Sequence, residues 1–204
     1  MLEVAIEAFA NRGYEGVGTR ELADRAGVNL GAIRYHFKDK QGLYLAAIQH
    51  IAEGIRERMS PYVQEIRSRV EKEGTSREEL IECLCQLVTR FASQLLGPGI
   101  GDSWSRLVIR EQTKAKPTES FDIIYNVQRL VIDATAAIVG KIRGQAPESE
   151  EIRIRTISLL GQAVVFRTAR ATALRSIGWE QLGQREISAL QLVLRDHCRA
   201  ILAK

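Results

Sequence analysis

A chain of 204 residues, 45% hydrophobic and 26% charged, has the composition of an ordinary globular protein of one or two domains with a sizeable core. It shows no run of about 18 apolar residues, and its first residues, MLEVAIEAFANRG, lack the basic start and cleavage site of a signal peptide, so a cytoplasmic protein without membrane attachment is expected. The net charge of +4 does not by itself argue for nucleic acid, because residues 1–58 hold eight Lys/Arg and eight Asp/Glu and the surplus lies further along.

Leu2, Ala5, Ile6 and Phe9 form an i, i+3, i+4, i+7 stripe, which predicts a first helix that buries one face. Gly13 ends it, with Tyr14 packing back over that end. Thr19 to Lys40, TRELADRAGVNLGAIRYHFKDK, reads as two short helices around a tight turn. Thr19 is the expected N-cap of the first, and Leu22, Ala23 and Ala26 supply its apolar face. Gly27 stands where a left-handed residue closes a helix, and Val28 after it plugs back into the core. Asn29 caps the next helix, whose buried side is Ile33 and Phe37, four apart. Leu30, Gly31, Ala32, Arg34, Tyr35 and His36 are left facing outward. This is the pattern of a helix-turn-helix that docks on DNA.

The stretch TRELADRAGVNLGAIRYHFKDKQGLYLAAI, with AIEAFANRGYEGVG before it, resembles the N-terminal DNA-binding region of the TetR family of bacterial repressors. Gly31 and Ala32 lack bulk, so the helix start can approach the groove closely. Arg34 can donate to guanine or phosphate, and Tyr35 and His36 fall at backbone-contact distance in this docking. The resemblance implies that Lys40 contacts phosphate, and that Thr19 and Arg20 stand where the preceding helix crosses the backbone. With Asn29, Leu30 and Lys38 these make the expected DNA-binding set. Local cations, not a basic domain, would hold the phosphates.

After Phe37, Asp39 is the expected cap of a fourth helix from about Lys40 to Met59, with Leu43, Ala46, Ala47, Ile51 and Ile55 on its apolar face and Pro61 as its boundary. The expected division is a DNA-binding domain over 1–50, with the fourth helix linking to about 59, and a ligand-binding and dimerisation domain over 60–204. No strand signature appears in that second part. Helices are expected at about 62–73, 76–96, 102–114, 118–143, 149–177 and 184–202, with Ser76, Asp102, Thr118 and Ser149 as caps. The fold class is therefore all-α, a three-helix head ahead of a larger helical body.

The last two helices carry broad apolar faces: Ile157, Leu160, Val164 and Ala171 on one, Ile187, Leu190, Leu194 and Ile201 on the other. Such faces need neighbours on two sides. The TetR resemblance implies that these helices pair with their copies in a homodimer, which would read a palindromic operator.

Trp104, Leu107, Val108 and Glu111 share one helix face, so Glu111 extends an otherwise buried stripe. A buried charge needs a partner, and Arg167 or Arg170 is expected to supply it, unless both sides face a polar ligand. Trp104, Leu107, Phe121, Tyr125 and Phe166 would be the apolar walls of such a site. The segment WSRLVIREQTKAKPTESFDIIYN, continued by LLGQAVVFRTARATALRSIGW, resembles the C-terminal domain of CecR-type TetR proteins. That implies a ligand-responsive regulator of transport or drug-sensitivity genes, with a small-molecule effector.

Other classes find little support. The three histidines have no metal-ligand spacing, Cys83, Cys85 and Cys198 read as free thiols, and GPGIG lacks the lysine and strand of a phosphate loop, so no metal, cofactor or enzymatic activity is expected. A helical adaptor that binds only protein would leave the Arg34–Lys40 cluster without a purpose.

Overall fold

In the computed structural model, residues 1–97 and 101–202 are described, and of Ile201 and Leu202 only the backbone. Among the described residues there are ten helices and no strand: α1 (Leu2–Arg12), α2 (Thr19–Arg25), α3 (Leu30–Phe37), α4 (Lys40–Glu71), α5 (Arg77–Leu96), α6 (Asp102–Gln112), α7 (Glu119–Arg143), α8 (Glu150–Thr168), α9 (Arg170–Ile177) and α10 (Gln184–Leu202). The expected place of Ile201 on an apolar face lies outside the described side chains.

The chain forms two compact units. The first combines Met1–Arg56 with Gly101–Val127, and the second takes the rest of the described chain. In the first unit α1 packs against α2 and α6. Ala5, Ile6, Phe9, Leu22, Ile33, Leu43, Ile48, Ile51, Leu107 and Ile124 form its core. The predicted α1 stripe is buried apart from Leu2, which is half-buried. In the second unit α5 packs on α8 and α10. Leu84, Leu87, Val88, Ile152, Leu159, Leu160, Ala163, Ile187, Leu190 and Leu194 fill that core. Across the α5–α10 contact the Cys85 thiol donates to the Arg195 carbonyl at 3.8 Å.

Pro61 does not end a helix, contrary to expectation: it lies inside α4, which runs on to Glu71 and absorbs the helix expected at 62–73. A proline there removes one backbone bond and costs about 3 kcal/mol. Met59, Val63, Ile66 and Val70 are all buried along the same helix. At roughly 1.5–3 kcal/mol for each such side chain, packing outweighs the break.

The helix expected at 149–177 is instead two. Ala169, at φ −110° and ψ 36°, interrupts it, and α9 then ends on left-handed Gly178. No glycine or proline marks that break. Two caps also differ from expectation: α2 begins after Gly18 and α6 after Gly101, so Thr19 and Asp102 are first-turn residues whose side chains do not cap. Ser76 does cap α5, in a reciprocal capping box with Glu79, and the Thr118 hydroxyl accepts from the Phe121 N–H at 3.4 Å. Ser149 precedes α8 without a side-chain cap bond. Among the described helices α7 is long and apolar enough to cross a membrane, where the sequence suggested no such span, but half of that stretch is buried within the protein, as in a core helix.

Candidate nucleic-acid interface

The α2–α3 turn is closed by backbone bonds. Gly27 adopts φ +66°, and the Val28 N–H donates back to the Ala23 carbonyl at 3.0 Å. Asn29 then caps α3, its Oδ1 accepting from the Ala32 N–H at 2.8 Å. Arg12 on α1 pairs with Glu21, and Arg25 with Glu7 at 3.5 Å, so two cations of the head fasten α1 to α2. The ring of Tyr14 stacks on Phe9 and meets Tyr44 edge-on, closing the end of α1 as the sequence suggested.

Ile33 anchors α3, with 1% exposure, while Tyr35 on the opposite side is 84% exposed. Gly31, Arg34 and His36 are exposed too, and Leu30 and Ala32 are half-buried. Phe37, expected in the core beside Ile33, is half-buried at the end of the helix. The cluster therefore presents a continuous outward face. Arg20 and Lys38 are exposed, and among the described residues Arg20, Arg34 and Lys38 enter no ion pair. Thr19 is half-buried. Lys40 is turned partly to another task, its ammonium lying 4.3 Å from the centre of the Tyr14 ring.

Lys38 joins α3 to α4 in an uncommon way. At φ 69° and ψ −57°, with the Asp39 N–H donating to the Phe37 carbonyl at 2.9 Å, it forms a classic γ-turn, a strained conformation for a residue with a side chain. Asp39 Oδ1 then accepts from the Gly42 N–H at 2.8 Å and caps α4. A Cβ on Gly42 would fall 1.9 Å from the Phe37 carbonyl oxygen, so only glycine lets α4 start this close to the end of α3.

The residues expected around an effector are divided between the units. Trp104, Leu107, Glu111, Phe121 and Tyr125 belong to the first; Phe166, Arg167 and Arg170 belong to the second. Trp104 is a packing residue, with its indole N–H donating to Glu3 at 3.1 Å and its ring edge-on to His50. Leu107 is fully buried. Phe121 and Tyr125 stack on each other, and Phe166 faces Trp179.

Glu111 is 1% exposed, and in place of the expected Arg167 or Arg170 its donors come from its own unit. Tyr44 of α4 donates to Oε1. The Lys114 ammonium lies 2.7 Å from Oε1 and 2.8 Å from Oε2, and Ser120 and Thr118 donate to Oε2 at 2.5 and 3.4 Å. Burial pushes this carboxyl up, but the bonds from Lys114, Ser120 and Tyr44 outweigh it and hold the group below its ordinary value. Burial and the Glu111 carboxylate together hold the Tyr44 phenol far above its ordinary value. Sequence periodicity located the buried acid but missed its partners, although Lys114 stands only three residues on. Beside this network lies a cleft of about 560 Å³, lined by Gly13, Tyr14, Tyr44, Arg110, Lys114 and Ser120 among others, and by none of the eight expected effector residues.

A capped, outward-facing helix on a helix-turn-helix, in an all-helical chain, defines a DNA-binding transcription regulator. The family model for bacterial regulatory proteins of the tetR family matches residues 1–47, and that for the C-terminal domain of the HTH-type transcriptional dual regulator CecR matches residues 80–204. The chain belongs to the TetR family of transcriptional regulators and carries a CecR-type C-terminal domain. It is 26% identical over 204 residues to the dual regulator CecR of Shigella flexneri, covering 99% of this chain and 89% of that protein. Over 46 residues, 22% of this chain and 24% of the relative, it is 48% identical to the transcriptional repressor AcnR of Corynebacterium diphtheriae. Its fold is like that of a putative TetR-family regulator from Mesorhizobium loti, with a TM-score of 0.60 at 17% identity over 99% of this chain and 93% of that one. It is also like that of FadR from Bacillus subtilis in complex with stearoyl-CoA, with a TM-score of 0.58 at 18% identity over 97% and 95% of the two chains.

Proposed function

We propose that this regulator is a ligand-responsive repressor that acts in the cytoplasm and binds a palindromic operator as a homodimer. The observation that carries the DNA half is the pairing on α3 of a buried Ile33 with an 84%-exposed Tyr35, flanked by Arg34 and His36. Gly31 and Ala32 admit the helix to the major groove, with Asn29 and Leu30 at its start. Arg34 reads a base edge or phosphate, and Thr19, Arg20, Tyr35, His36, Lys38 and Lys40 hold the backbone.

The dimer half rests on α8 and α10. Ile154, Ile157 and Val165 on α8, and Leu192 and Val193 on α10, are large apolar side chains that remain exposed in the single chain. On α8 the three recur at helical spacing along one face, and on α10 the two are adjacent in sequence. A two-fold pair through these helices would set two α3 helices on half-sites about 34–36 Å apart or at a related spacing.

Control of transport or drug-sensitivity genes is carried over from the CecR-type resemblance of the sequence, and the likeness of the head to the repressor AcnR supports repression. That FadR carries stearoyl-CoA on a similar fold supports a small-molecule effector without naming it. A gel shift with the DNA flanking the protein's own gene tests the proposal. Binding should be present at low salt and fall steeply as salt rises. No shift at low salt would refute it.

A further inference from the structure

We propose that the cleft beside Glu111 binds the anionic group of a small amphipathic effector, which takes Lys114 from Glu111. The effect on DNA rests on the ligand-responsive function proposed above; binding in the cleft does not. At about 560 Å³ the cleft has the size of a small-molecule site.

Its cationic wall is the last turn of α6 and the residues just beyond. Arg110 and Lys114 are four apart there and both line the cleft. The Arg110 guanidinium makes no hydrogen bond or ion pair among the described residues. It lies close over Gly13, where a Cβ would come within 2.7 Å of Nη1. Gly13 has φ +74°, so the backbone there requires glycine. The hydroxyls of Thr118 and Ser120 stand beside these cations, and Tyr14, Tyr44 and Leu45 supply apolar surface for the body of a ligand.

Three other charged groups line the cleft. Arg12 is engaged by Glu21. Glu15 and Glu119 are both exposed, so water and salt screen their repulsion of an incoming anion.

The exchange at Lys114 is chemically balanced. Its ammonium now serves the buried Glu111, yet its side chain is 33% exposed and can turn to an anion in the cleft. Glu111 would then keep Tyr44, Ser120 and Thr118 as donors and remain hydrogen-bonded. Because Tyr44 belongs to α4, four residues after Lys40, occupancy of the cleft changes the bond that ties α6 to the helix following the DNA-reading element.

Calorimetry without DNA tests this, using benzoate and phenyl phosphate as probes of carboxylate and phosphate and benzamide as a neutral control. At least one anion should bind saturably and benzamide should not. Arg110→Ala, at an exposed position, should weaken that binding by about ten-fold or more while leaving the melting temperature unchanged, the scale of one charge-assisted bond. Glu111→Gln, which removes the competing charge, should tighten it by about ten-fold. Absence of saturable anion binding, equal binding of benzamide, or wild-type affinity in Arg110→Ala would overturn the proposal. In a second arm, the binding anion should lower the affinity of wild-type protein for DNA flanking its gene and leave that of Arg110→Ala unchanged. If the chain bound no DNA at all, the calorimetry would still decide the cleft, so the two failures are read separately.

Discussion

Gly54 on α4 and Trp104 on α6 meet backbone to ring: a Cβ on Gly54 would stand 2.6 Å from two atoms of the six-membered ring of the indole. A helical glycine ordinarily costs stability, and alanine in its place gains roughly 0.5–1 kcal/mol. Here the sign reverses. Gly54→Ala should destabilise by about 1–3 kcal/mol through overpacking. In a Trp104→Leu background the same change should become neutral or stabilising. Thermal melts of the two single variants and the double variant measure this coupling.

Tyr35 is the most exposed large hydrophobic side chain in the head, so its loss should not touch the core. Tyr35→Ala should keep helicity and stability within about 0.5 kcal/mol of wild type. Operator affinity should fall about 100-fold or more, because the proposed dimer would lose the contact twice and each loss costs roughly 1–3 kcal/mol. Circular dichroism and fluorescence anisotropy on one preparation check both halves. Unchanged affinity would remove α3 from the interface.

Leu192 is 66% exposed on α10, beside Val193, which is 48% exposed. Leu192→Glu should leave the folded chain intact and place an unpaired charge in the proposed dimer face, where its burial is costly. Sedimentation should then report a monomer, and operator binding should be lost with the second half-site. A dimer of wild-type strength would locate the interface elsewhere.

Glu111 ties stability to pH with a definite sign. Its carboxyl is held below the ordinary value, so it adds stability at neutral pH. That contribution is lost as pH falls below the ordinary carboxylate range and through the lowered folded-state value. Glu111→Gln cannot titrate there and should cost roughly 1–3 kcal/mol at pH 7. The gap in melting temperature between wild type and the variant should narrow steadily towards pH 3. A gap independent of pH would show that the carboxylate charge carries none of the stability.

The parts of the chain legible in its sequence are those governed by local chemistry. Asn29 caps because its side chain reaches its own helix, Gly27 turns because left-handed backbone suits it, and Ile33 is buried because of its spacing. What tertiary packing decides was hidden. Pro61 looks like a stop until Met59, Val63, Ile66 and Val70 are seen to be buried around it. The break at Ala169 has no glycine or proline to announce it. Glu111 was recognisable as a buried acid, but its donor Tyr44 lies 67 residues away in the chain, beyond any periodic pattern. Trp104 has the composition of a pocket wall and the position of a spacer against Gly54.

The γ-turn at Lys38, with Gly42 pressed against the Phe37 carbonyl, bears on how the head meets its target. Two residues, Lys38 and Asp39, separate the end of α3 from the start of α4, and the turn bond to Phe37 and the Asp39 cap on Gly42 tie both down. The surface proposed to read DNA would thus be assembled before any operator arrives. Docking forfeits little conformational entropy, and a mismatched site gains nothing from local adjustment. On the proposed function, discrimination between DNA sequences would be stored as stiffness at the junction of two helices.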